Sequence, residues 1–225
     1  MAPEAGSVLS IWQRLPNALT ILRLVLAVLF FALISIRGGL ENRGRPIAPP
    51  DWTLLAAVAL FVLAALTDAL DGHLARRWNA VTPFGRIMDP FADKVLIVGA
   101  FIYLAGPGFQ LDLGNDLHMQ ASGVASWMAV VVLGRELLVT SIRGVLEGQG
   151  IGFAATWHGK AKMIFQSLCI PLVLTVLAFS DAERGTPERI VIDIVVWATV
   201  LLTAWSGMPY ITRAVQAFRQ ARAAP

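Results

Sequence analysis

The sequence predicts an all-α integral membrane protein, with six transmembrane helices around a polar cavity that faces the cytoplasm. Three observations predict it. Hydrophobic residues fill 56% of the 225 positions and charged residues only 15%, with a mean hydropathy of +0.67; ordinary globular chains carry about 25% charged residues. Long apolar runs recur along the chain, and roughly 20 such residues cross a bilayer as a helix. Lys and Arg collect in alternate connecting segments, the bias that sets membrane orientation.

Residues 1–15 read as an interfacial segment, with Trp12 as aromatic anchor and Arg14 toward headgroups. The first span is placed at 16–36. It contains Arg23, and no small-residue cleavage site follows, so it reads as a retained span and not a signal peptide. Residues 37–50, with their Gly and Pro, form a connecting loop. Further spans are placed at 52–70, 90–105, 124–142, 164–179 and 190–210. The third is short, and the fourth contains Arg135. Residues 16–212 thus make one membrane domain, followed by a basic tail at 213–225 with Arg213, Arg219 and Arg222.

Arg76, Arg77 and Arg86 lie between spans two and three, and Arg143, Lys160 and Lys162 between four and five. The segment between three and four holds Asp112 and Asp116 and no Lys or Arg. Both termini are therefore placed in the cytoplasm. Arg37, Arg43 and Arg45 fall on the opposite side and disagree. The net charge of +3 suits a neighbour of anionic lipid and does not call for nucleic acid. A single Cys169, in an apolar run, excludes an internal disulfide framework and a thiolate metal site.

The chemistry concentrates between Asp68 and Asp93, where one apolar run ends and the next begins. Asp68 and Asp71 stand three residues apart, on one helical face, with Gly72, Ala75 and Arg76 beside them. Thr82-Pro83 reads as a helix start. Gly85, Asp89 and Asp93 follow at intervals of four, again on one face, with Pro90 removing one backbone donor. Four carboxylates at the edge of a hydrocarbon layer need cations. Hard oxygen donors without Cys or His favour magnesium or manganese over zinc. Four around one small ion overcharge it, so two ions ~3.5–4 Å apart fit better. The competing reading pairs these acids with Arg76, Arg77, Arg86 and Lys94 in a solvated ion-pair network.

This stretch resembles the signature of the CDP-alcohol phosphotransferases: Asp68, Asp71-Gly72, Ala75-Arg76, Gly85, Asp89 and Asp93 occupy all eight fixed positions. The resemblance implies a membrane enzyme that transfers a phosphatidyl or similar group from a CDP-activated donor to an alcohol and releases CMP. It implies two Mg2+ (or Mn2+), one held by Asp68, Asp71 and Asp89, the other by Asp71, Asp89 and Asp93. Asp93 would also be the base for the acceptor hydroxyl, and Gly72, Arg76 and Thr82 would contact the CDP portion. A homodimer is implied as well.

Shorter motifs are similar to those of bacterial phosphatidylglycerophosphate synthases. Leu15-Pro16-Asn17-Ala18-Leu19-Thr20-Ile21-Leu22-Arg23 resembles their opening, with Asn17 and Thr20 near the nucleotide. Gly134-Arg135-Glu136-Leu137 to Arg143 resembles their fourth span. His158-Gly159-Lys160-Ala161-Lys162 to Gln166 resembles the segment before their fifth, with Met163 where Thr is usual. An intramembrane Arg lines a polar cavity or pairs with an acid, and Glu136 is the adjacent partner for Arg135.

The expected function is transfer of the phosphatidyl group from CDP-diacylglycerol to glycerol 3-phosphate, in a bacterial inner membrane. Arg135, Arg143, Lys160 and Lys162 would hold the acceptor phosphate. The alternatives are the same site with phosphatidylglycerol (a CMP-forming cardiolipin synthase), serine or an inositol phosphate as acceptor. A divalent-cation transporter is a different class; its acids belong near the bilayer midplane, whereas these sit at one edge.

Overall fold

The computed structural model describes the backbone of residues 5–41, 49–78, 83–112, 118–148, 157–180, 182 and 185–223. The side chains of 5–17, 40–41, 69–78, 83–87, 89, 112, 147, 158, 160 and 217–223 lie outside that description. Six long helices are described: α1 (Ala5–Glu41), α2 (Trp52–Trp78), α3 (Pro83–Leu104), α4 (Ser126–Gly148), α5 (Trp157–Phe179) and α6 (Pro187–Ala223). Each holds one of the six apolar runs to within two residues at its ends. α1 is unbroken through Leu15 and Pro16. α3, α5 and α6 run through Pro90, Pro171 and Pro209.

Large apolar side chains line the exterior, among them Val28, Leu63, Trp127, Leu168 and Trp205. Thr20, Arg23, Gln166, Thr199, Thr203 and Ser206 are buried. This inverts the pattern of a water-soluble bundle and fits a chain whose solvent is lipid. Three helices are long and apolar enough to cross a membrane, over Ala18–Gly39, Ala161–Phe179 and Pro187–Gln216. The apolar part of α2, Trp52–Asp68, is shorter. The protein is thus an α-helical membrane protein.

The core is a packed seam in which Phe30, Phe61 and Phe101 of α1, α2 and α3 are fully buried, continuing to Ile170, Leu174 and Ile192 of α5 and α6. α1 packs most extensively on α2, and also on α3. Gly99 lets α3 approach α1: a Cβ there would lie 2.4 Å from the Phe31 ring. α4 packs on α6, and α5 on α2 and α6.

At one end the connections are tied down by polar contacts. Asp51 caps α2 by accepting hydrogen bonds from Thr53 N (2.9 Å) and Leu54 N (3.2 Å). Its other oxygen accepts 2.6 Å from Arg37 Nε. Arg37 also donates to Gly108 O and lies over the Phe109 ring. The charge of Arg37, which disagreed with the predicted orientation, is therefore matched within the fold by Asp51. Arg43 and Arg45 lie outside the described residues.

The all-α class holds, with one local element that the sequence reading did not place. Between α3 and α4 the chain forms a 3-10 turn (Pro107–Phe109) and a two-stranded antiparallel ribbon, β1 (Gln110–Asp112) and β2 (His118–Gln120). Gln120 Nε2 donates to Leu104 O and Gly106 O, and Arg189 Nη1 of α6 donates to Gln120 O at 2.6 Å. Strands of three residues leave too short an alternation to read. Gly123, in the turn that leads from β2 to α4, has φ +70°, and a Cβ there would meet Ile192 at 2.9 Å.

Candidate active site

At the other end, the first half of α3, the second half of α4, the start of α5 and the end of α6 enclose a cavity of about 540 Å³. Its charged lining is Asp93, Lys94, Arg135, Glu136, Arg143 and Lys162, four cations and two acids. Tyr210 closes one side.

Two of the four predicted metal ligands have described side chains. Asp93 lines the cavity and is within electrostatic reach of Asp68, Lys162, Arg23 and Glu136. Asp68, on α2, receives Arg23 Nη1 of α1 at 2.7 Å. α2 and α3 thus bring Asp68 and Asp93 within electrostatic reach of each other. Asp71, Gly72 and Arg76 stand on the helical backbone of α2, and Asp89 on that of α3. Their side chains, with those of Asn17 and Lys160, and the whole of Thr82, lie outside the described residues. Thr20 is buried in α1 one turn before Arg23.

Among the described residues no group of three or more His, Cys, Asp or Glu is gathered. The predicted donors that are described, Asp68 and Asp93, are hard oxygens, and no cysteine or histidine stands among the described residues that line the cavity. That chemistry fits magnesium or manganese.

Three of the four predicted phosphate contacts meet in the cavity. Arg135 donates from Nε to Ser206 Oγ at 3.0 Å, from Nη1 to Glu136 Oε1 at 3.2 Å, and lies over the Tyr210 ring. Lys162 is buried and donates to the same Glu136 oxygen. Arg143 Nε is buried with no acceptor among the described residues. A buried donor left unpaired is costly, so a cavity holding one suits an anionic ligand.

Among the described residues Lys94 makes no ion pair with the predicted metal-binding acids: it donates to Thr140 Oγ1 of α4, and Thr140 donates to Glu136 O at 2.7 Å. Sequence reasoning missed the pairing of Arg23 with Asp68 and the role of Glu136 as a shared partner. The signal for both was present. Charged residues within spans face the bundle interior and pair with one another, and Arg23 and Glu136 are two such residues.

Helices from both halves of the chain meet here, with two carboxylates among four cations along the cavity. This is the layout of a membrane-embedded group-transfer enzyme acting on phosphate esters. Residues 13–205 match the CDP-alcohol phosphatidyltransferase family, and the chain belongs to that family. It is 32% identical to the CDP-diacylglycerol–glycerol-3-phosphate 3-phosphatidyltransferase of Bacillus subtilis, covering 92% of this chain and 97% of that one. A probable phosphatidylglycerophosphate synthase of Mycobacterium tuberculosis is 33% identical, over 95% of this chain and 88% of that one. The 3-phosphatidyltransferase of Escherichia coli is 28% identical, over 89% and 94%.

Proposed function

We propose that this protein transfers the phosphatidyl group of CDP-diacylglycerol to glycerol 3-phosphate, giving phosphatidylglycerol phosphate and CMP. One observation carries the reading: in a member of this family, Asp93 shares a cavity with Arg143, Lys162 and Arg135. A hydroxyl acceptor that bears its own phosphate needs such a cation set within reach of a base.

Asp68, Asp71, Asp89 and Asp93 would hold two divalent cations, magnesium or manganese. When bound, these supply charge neutralisation and polarisation at the pyrophosphate. Asn17, Thr20, Gly72, Arg76 and Thr82 bind the CDP portion of the donor, whose acyl chains stay in the bilayer. Arg135, Arg143, Lys160 and Lys162 hold the acceptor phosphate through charge-assisted hydrogen bonds. Asp93 accepts the proton of the terminal hydroxyl. That oxygen bonds to the phosphorus bearing diacylglycerol, the bond from this phosphorus to the bridging oxygen breaks, and CMP leaves with the electron pair. Positioning and electrostatic complementarity supply most of the rate.

All six helices cross the bacterial plasma membrane, with the cavity and both termini in the cytoplasm, and the protein is a homodimer. The basic residues at the ends of α2, α4 and α6 and at the starts of α3 and α5 support that orientation. The test is CMP release from CDP-diacylglycerol by purified protein, with glycerol 3-phosphate, phosphatidylglycerol, serine and inositol phosphate supplied in turn. Release with glycerol 3-phosphate alone is expected; release with another acceptor and not this one refutes the reading.

A further inference from the structure

Glu136 is 8% exposed, and one of its oxygens, Oε1, is shared by two cations from different helices: Arg135 Nη1 of α4 and Lys162 Nζ of α5. Adjacent residues on a helix do not face each other. Arg135 and Glu136 nevertheless meet, because each is held from outside α4. Ser206 of α6 takes Arg135 Nε, and Lys162 of α5 takes the carboxylate. The same turn of α4 is tied to α3, since Thr140 donates to Glu136 O and accepts from Lys94, the neighbour of Asp93. α3, α4, α5 and α6 are thus cross-linked through one turn beside the cavity. Gln166, one turn beyond Lys162, donates to Thr203 of α6 at 3.1 Å and extends the link.

We infer that Glu136 is a positioning residue for the acceptor phosphate: its carboxylate fixes the Arg135 guanidinium and the Lys162 ammonium at the wall of the cavity that Arg143 also lines, with Arg143 Nε lacking an acceptor among the described residues. The inference rests on the proposed acceptor and names what orders its phosphate site. Simple charge counting gives the opposite expectation. Glu136 is an anion beside an anion-binding cavity, so by Coulomb attraction alone its removal strengthens phosphate binding. The geometry argues otherwise. Without the shared oxygen, two buried like charges repel and lose their fixed directions. A phosphate then binds only after ordering them itself, which weakens apparent affinity.

The test is steady-state CMP release by the detergent-solubilised full chain carrying Glu136→Gln or Glu136→Asp. Glu136→Gln is expected to raise the glycerol 3-phosphate KM by about tenfold or more, the scale of a hydrogen bond to a charged group. The CDP-diacylglycerol KM should stay within about twofold, and Glu136→Asp should restore part of the loss. In a double-mutant cycle with Lys162→Gln, the two acceptor effects should be far from additive. An unchanged or lowered acceptor KM in Glu136→Gln, or additive effects, overturns the inference while leaving the proposed function standing. If Glu136→Gln does not fold, Glu136→Asp alone decides by the same KM criterion. Failure of both to fold assigns Glu136 to the scaffold and also overturns it. Wild-type protein inactive with glycerol 3-phosphate instead refutes the proposed function.

Discussion

Arg23 and Asp68 form an ion pair between α1 and α2, with Arg23 Nη1 2.7 Å from Asp68 Oδ1. The arginine side chain is 1% exposed and the aspartate 38%. An arginine within an apolar run counts against a transmembrane helix when sequence is read alone. Here it points inward, to the first acid of the signature. The pair joins the helix that opens the family motif to the helix that carries half of the proposed metal ligands.

Arg23→Met should remove a cation that shares Asp68 with any bound metal. The substitution is expected to lower stability without metal by about 1–3 kcal/mol, between the values for exposed and buried pairs. It should also lower the magnesium concentration that half-saturates a thermal shift. Melting in detergent across a magnesium titration measures both, and an unchanged half-saturation point contradicts the competition.

Chelation by EDTA should abolish CMP release, and added magnesium or manganese should restore it. Calorimetric titration of magnesium into metal-stripped protein gives a stoichiometry. Two ions per chain are expected, and a single site would contradict the two-ion arrangement.

Asp93→Asn should lower kcat by about 10²–10⁴-fold, the usual contribution of a positioned base. The melting temperature should change little, because Asp93 makes no ion pair among the described residues and faces the cavity. Single-turnover CMP release at the wild-type rate would exclude Asp93 as the base.

Arg143→Gln should raise the acceptor KM by about 10–100-fold through loss of charge-assisted hydrogen bonds. The CDP-diacylglycerol KM should hold. Equal increases for both substrates would place Arg143 in the donor site.

Gly99→Val should destabilise the bundle far from the chemistry. The added carbons would overlap the Phe31 ring, which stacks on Tyr103 at 5.2 Å between centroids. Overpacking of this kind costs about 1–3 kcal/mol, read as a lower melting temperature. An unchanged melting temperature would show that α1 and α3 separate freely at this contact.

Much of the protein was legible in its sequence because lipid imposes strict local rules. An apolar run must be a helix when its backbone has no water to bond, and each of the six runs falls in a long helix to within two residues at its ends. The acids could be found for a similar reason: spacings of three and four fix a helical face, and Asp68 and Asp93 come within electrostatic reach of each other. The ribbon at Gln110–Gln120 was not legible, since its hydrogen bonds go to Leu104, Gly106 and Arg189, partners set by folding.

The sequence by itself determined which segments are helical, which residues carry charge into them, and the family, because each depends on local spacing or residue identity. Only the tertiary structure decided which charges meet. Glu136 could have served its neighbour Arg135 alone, yet it joins Arg135 to Lys162. Arg23 could have been a lone polar interruption, yet it belongs to Asp68. In a low-dielectric interior a charge is stable only where another helix supplies its partner, and that choice is made by packing across the bundle.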